Sequence, residues 1–351
     1  MDKPSYIRNF GMKAWVILVE LLLLVSCDNA IYDDEGDCSV TYHLKFRYDM
    51  NMKFADAFTH EVKSVRLYAF NSNGELVWQA DEQGEILASG DYTMKLELAP
   101  GDYHLMAWCG LDNGESFTVT DASHNCRMTD LHCKLNRYLD KATGVSYSNK
   151  DLHPLFHGSL DVSLPANDDG GDYTYVMPLT KDTNVFRVVL QHLSGQDINV
   201  DDFTFSIEDR NGWIAHDNTL KEPIVYRAWS TYSGEAGVDI ATGKESRVTT
   251  IVKVAVAELT VSRLVLRDWS LYSRPMLIIR TTEGKLVASI PIIDYALLVK
   301  GNYNRKMSDQ EYLDRQDEYN MTFFLDEQNQ WINSVILINS WRVVLSNVDV
   351  D

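Results

Sequence analysis

From Cys38 onward the chain is built of short segments in which apolar and polar residues alternate, and this period of two limits its fold more than any other feature. Alternation fits a strand with one face in a core and one in water, and it cannot line one face of a helix. Val40 to Tyr48, "VTYHLKFRY", sets Tyr42, Leu44 and Phe46 on one face. "VKSVRLYAF" follows, then the turn "NSNG", in which Gly74 can take a positive φ, then "ELVWQA". "YTMKLELA" and "YHLMAWCG" flank a further turn at Pro100 and Gly101. The second half repeats the pattern in "NVFRVVLQHL", "VTTIVKVAVAEL", a hairpin around Glu283 and Gly284, and the closing "INSVILINSWRVVLSNVDV". One helix is expected where Ser308 caps "DQEYLDRQDEY" and Glu311 stands three residues on, as in a capping box. No helices alternate with the strands, so a parallel α/β sheet is excluded. The expected fold is all-β: two tandem antiparallel β-sandwiches with one or two short helices. The turn-rich "LPANDDGGDY" at Leu164 to Tyr173 is the expected boundary, dividing 38–165 from 166–351.

The N-terminus has a different grammar. Ala14 to Val25 is an apolar run that contains Glu20 and follows Lys13, too short and too interrupted to span a bilayer. It fits the h-region of a signal peptide over 1–26, whether translation starts at Met1 or Met12. Leu24, Val25, Ser26 and Cys27 resemble a bacterial lipobox, in which the cysteine thiol takes a diacylglycerol and becomes the new N-terminus. Several acyl chains give a stable anchor where one is marginal, so Cys27 is expected to be a lipid attachment site. A plain secretory signal with a chance cysteine is the alternative. Residues 27–37, with "DDEG" at Asp33 to Gly36, then form an acidic tether. Cys38, Cys109, Cys126 and Cys133 remain, and in an oxidising compartment they allow two disulfides in any of three connectivities.

Fifty-one acidic against 32 basic residues give a formal charge of -19, which repels phosphate backbones and argues against nucleic acid as a partner. The motif inventory for catalysis is empty: no GxSxG, Walker A, HExxH or GxGxxG pattern occurs. His153 and His157 are four apart, but Pro154 opposes the helix that would join them on one face. Asp168, Asp169 and Asp172 lack the spacing and the distal glutamate of an EF-hand. No cofactor, metal or active site is nominated. Trp78, Trp108, Trp331 and Trp341 lie in or beside strand patterns, where core packing competes with a sugar-stacking platform.

Several segments together resemble the FimB-type fimbrillin-like family, the lipoprotein anchor and minor subunits of Bacteroidales type V fimbriae. They are "FRYDMNMKFADAFTHEVKSVRLYAFNSNGELV", "LAPGDYHLMAWCGLDNG", "LFHGSL", "MPLTKDTNVFRVVLQ" and "QEYLDRQDEYNMTFFLDEQNQWINSVILINSWRVV". The resemblance implies transthyretin-like sandwiches behind a lipidated N-terminus at the cell outer membrane, with fimbrillin-type subunits as partners. It also implies assembly by β-strand exchange, with Trp341, Val343, Val344, Leu345 and Val348 as the expected exchange segment. Shaft subunits of such fimbriae lose an N-terminal piece to an arginine-specific protease. Arg66 falls in an apparent strand and Arg127 and Arg137 in a crossover, so none is nominated as a cleavage site.

Overall fold

The computed structural model describes residues 40–344 except 112–113, 121–125, 167–169, 242–246 and 302–303. Its strands in chain order are β1 Val40–Arg47, β2 Ser64–Phe70, β3 Leu76–Gln83, β4 Met94–Lys95, β5 Gly101–Cys109, β6 Phe117–Val119, β7 His132–Leu135, β8 Tyr138–Leu139, β9 Ser146–Ser148, β10 Phe156–Leu164 and β11 Gly171–Lys181. There follow β12 Thr183–His192, β13 Phe203–Asp209, β14 Trp213–Ala215, β15 Leu220–Lys221, β16 Ile224–Arg227, β17 Ser230–Ala241, β18 Arg247–Ser262, β19 Met276–Thr281, β20 Leu286–Pro291, β21 Glu318–Leu325, β22 Trp331–Ile338 and β23 Trp341–Val344. The all-β sandwich expectation is met.

The first sandwich is one sheet folded on itself, in the order β3-β2-β5-β10-β11-β1-β4. The long β11 turns the corner: Gly171–Pro178 pair with β1, and Leu179–Lys181 pair with β10. Tyr42, Leu44 and Phe46 of β1 are buried, as their alternation requires, and pack with Val65, Leu67, Leu105, Ala107 and Phe156. The second sandwich sets β17-β18-β12-β21-β22-β23 against β20-β19-β13-β16-β9-β8. Its core holds Phe186, Val188, Leu190, Leu259, Ile279, Met321 and Phe323, and it runs on to Tyr68, Phe70, Met106 and Trp108 on the outer side of β2 and β5. Those two strands are therefore apolar on both faces. The small sheet β15-β14-β7-β6 lies in the same core through Phe117, Cys133, Ile214 and Leu220.

Two expectations are corrected. The cluster Leu164 to Tyr173 does not divide the sandwiches: it connects β10 to β11, which belong to one sheet. Turn formers serve a sheet-to-sheet connection as well as they serve a linker. Pairing passes to the second sandwich at Asp182, between β11 and β12, while β8 and β9 from the first half join the second sandwich through β16. The capping box is half formed. The Ser308 hydroxyl accepts from the Glu311 N–H at 3.0 Å, but the Glu311 carboxylate accepts from Arg315 Nε at 2.9 Å. That helix covers only Asp309–Arg315, and Glu318 already opens β21.

Polar contacts join the halves. Lys181 Nζ donates to Glu61 at 3.1 Å and to Asp317 at 2.5 Å. Burial works against the Lys181 charge, but the Asp317 and Glu61 carboxylates outweigh it and hold its pKa above the ordinary value. Arg315 donates to the carbonyls of Asp49 and Asn51 and stacks over the Phe54 ring at 4.4 Å.

Candidate functional site: the terminal edge strand

The last described strand, β23, pairs antiparallel with β22 as Ile338↔Trp341, Leu337↔Arg342, Ile336↔Val343 and Val335↔Val344. The two-residue turn between them puts Asn339 at φ 47° and Ser340 at φ 68°, the left-handed pair that a type I′ hairpin demands. Asn tolerates that region, and its side chain is used here: Oδ1 accepts from the Asn320 N–H at 2.7 Å and Nδ2 donates to the Glu318 carbonyl. The hairpin is thus tied to the start of β21.

β23 ends its sheet, and among the described residues its outer side is unpaired. A two-residue turn makes Ile338 and Trp341 the hydrogen-bonded pair, so the Arg342 N–H and C=O point to the open edge. Trp341 and Val343 share the core-facing side with the buried Ile338 and Ile336. Val343 packs on the core, whereas Trp341 lies at the rim and is 60% exposed. At the other end of β22, Trp331 packs edge-on against Phe323 and beside Tyr295. The edge therefore offers main-chain hydrogen bonds and an uncovered indole, the two components of strand addition.

Of the expected exchange segment, Trp341, Val343 and Val344 lie in β23, while Leu345 and Val348 fall outside the described residues, as do Cys27 and Cys38. The two-disulfide arrangement is corrected, because Cys109 and Cys133 are free thiols. Cys109 points with Leu105 and Ala107 into the first sandwich, and Cys133 lies in the second core, so the sheet containing β5 separates them. Burial pushes both thiols well above their usual pKa. Cys126 is buried, and its thiol donates to the Arg127 carbonyl.

The four tryptophans divide. Trp108 is fully buried, Trp78 and Trp331 are packed against cores, and Trp341 alone of the four is largely exposed. His157 is a core histidine whose Nε2 lies 2.9 Å from the His216 carbonyl, and burial lowers its pKa to about 4. Arg66 sits in β2 against Asp81, and Arg137 pairs with Glu222. No cluster of three metal-ligating side chains occurs among the described residues. A surface groove of about 600 Å³ passes Asp102, Tyr103, His104 and Asp161, where His104 Nδ1 lies 2.6 Å from the Asp161 carboxylate, which is open to water.

A protein described as a candidate adhesin of Bacteroides thetaiotaomicron is 34% identical, with a TM-score of 0.75 over 89% of this chain and all of its own. A second protein of that organism, described as a candidate polysaccharide-binding protein, is 28% identical, with a TM-score of 0.72 over 88% of this chain and 99% of its own. The fimbrial anchor protein Mfa2 of Porphyromonas gingivalis shares the fold at 14% identity, with a TM-score of 0.63 over 88% of this chain and all of its own. No curated protein matches. The family model of the fimbrillin-A associated anchor proteins Mfa1 and Mfa2 matches residues 34–347, and the chain belongs to that family.

Proposed function

We propose that the protein is a non-enzymatic lipoprotein of the cell outer membrane that anchors or nucleates a fimbria at the surface. Acylated Cys27 holds it to the membrane, and the β23 edge pairs with a strand of a fimbrillin-type subunit. The observation that carries the reading is that edge: a four-residue strand, unpaired on its outer side among the described residues, with Trp341 uncovered at its rim. Main-chain pairing supplies affinity there and the indole supplies a side-chain anchor.

Arg342→Pro tests it. Proline removes the N–H that faces the open edge and keeps the bonds to β22, which edge strands tolerate. Fimbriae are expected to detach from cells carrying the variant, while the purified variant melts as the parent does. Normal retention of fimbriae would rule out pairing at this edge. A second reading has its own observation: a 28% identical relative is described as polysaccharide-binding, and Trp341 is an exposed aromatic. Saccharide binding that is lost in Trp341→Ala, with fimbriae still attached, would favour it.

A further inference from the structure

In each sandwich the strand by which the chain enters lies parallel to the strand by which it leaves or begins to leave. β1 pairs in parallel with β11 over eight residues, from Val40↔Gly171 to Arg47↔Pro178. β12, which follows β11 after the single residue Asp182, pairs in parallel with β21 over eight more, from Val185↔Glu318 to His192↔Leu325. Asp182 is fully buried, so little slack separates the two units. The two ladders have the same length and the same sense.

Mechanics gives this arrangement a consequence. When the N-terminal end of β1 is pulled one way and the chain beyond β11 the other, two parallel neighbours are driven past each other along their axes. Every hydrogen bond of the ladder is then loaded at once, and none can fail before the rest. Pulling the same pair from one shared end loads the bonds singly, as in peeling. A typical hydrogen bond contributes only about 0.5–1.5 kcal/mol net, so a ladder resists by sharing the load. The second unit repeats the geometry: load enters β12 at its N-terminal end and the chain leaves β21 at the opposite end of the ladder, β22 turning back and β23 running parallel to β21 again.

We propose that β1 with β11 and β12 with β21 are two shear clamps in series, which make the chain a tension-bearing link between its N-terminal and C-terminal ends. The inference rests on the anchor reading for its biological use, since a lipid at one end and a fibre at the other is what would apply such a load. The geometry itself needs neither.

The test is single-molecule pulling on the mature chain with handles at its two ends, compared with a handle at Lys53 in place of the N-terminal one. Lys53 is exposed just after β1, so a load applied there peels β1 from the Arg47↔Pro178 end. End-to-end pulling is expected to rupture at severalfold higher force, in two large steps, one of them the release of the first sheet at roughly 3.5 Å per residue. Equal forces in the two geometries would overturn the clamps. Lys45→Cys with Val176→Cys, a paired position across β1 and β11, provides a second arm. Oxidation should abolish the step for the first sandwich and reduction restore it, and a step that persists in the cross-linked form would also overturn the proposal. A chain found without lipid in cells would end the anchor reading and leave these forces unchanged.

Discussion

Asp182 shows most sharply how one residue is constrained by its surroundings. Its Oδ1 accepts from Asn218 Nδ2 at 3.0 Å and lies 4.0 Å from Arg263 Nε, while Oδ2 has no hydrogen-bond partner. Burial raises its pKa to about 7 in spite of Arg263. The folded chain thus holds a proton that the unfolded chain releases near pH 4, so ionisation of Asp182 costs stability as pH rises from about 4 to about 7, by about 1.4 kcal/mol per unit at most. His157 works the other way. Its folded pKa is about 4, below its unfolded value, so its contribution is lost as pH falls from about 6.5 towards 4. The two slopes oppose each other in the parent, and substitution separates them. Asp182→Asn is expected to melt well above the parent at pH 8 and close to it at pH 4, in thermal melts at matched ionic strength. A difference independent of pH would refute the buried-acid account. Cys109 and Cys133 are expected to resist maleimide in the native protein and to react after denaturation, and labelling of either in the native state would show that its burial is wrong.

At the scale of elements, period two identified the strands because it depends only on neighbours in sequence: the face formed by Tyr42, Leu44 and Phe46 is the one buried. What alternation does not encode is which strand lies beside which. The same pattern in β10 and β11 gave no sign that they share a sheet, or that β9 crosses to β16. The helix Ile292–Leu298 was hidden too, because "PIIDYALL" continues the apolar run of β20. The exposure of Trp341 was equally illegible, since an edge exists only once the whole sheet is ordered. Its hairpin does have a local signature in Asn339 and Ser340. Asn339→Val is expected to cost about 1–3 kcal/mol, from a β-branched residue at positive φ and lost bonds to Asn320 and Glu318, read as a lower Tm. A change of turn chemistry without that loss would mean the hairpin is not tied to β21. Gly110, at φ 91°, leaves no room for a Cβ, which would stand 2.0 Å from the Pro154 carbonyl oxygen. Gly110→Ala is expected to unfold the first sandwich at temperatures the parent survives, and a parental melting curve would contradict the close approach.

For the whole molecule, the halves are interleaved rather than strung together. β2 and β5 bury both faces, β8 and β9 complete a sheet of the other half, and Lys181 bridges Glu61 to Asp317 across the junction. Replacing Lys181 with Met removes the cation between two part-exposed carboxylates, and about 1–2 kcal/mol of stability should be lost. A calorimetric scan in which the two halves then melt separately would show that this bridge couples them, and an unchanged single transition would show that the shared apolar core does so alone. The central claim concerns how the molecule is held. Its most direct test is the intact mass and N-terminal identity of the protein recovered from outer-membrane fractions and from sheared fimbriae, beside a Cys27→Ala control. The account predicts a chain beginning at acylated Cys27 that stays with the membrane, and fibres shed from the control. A chain that begins well inside the first sandwich and is recovered with the sheared fibres would contradict it and make this protein a polymerised subunit.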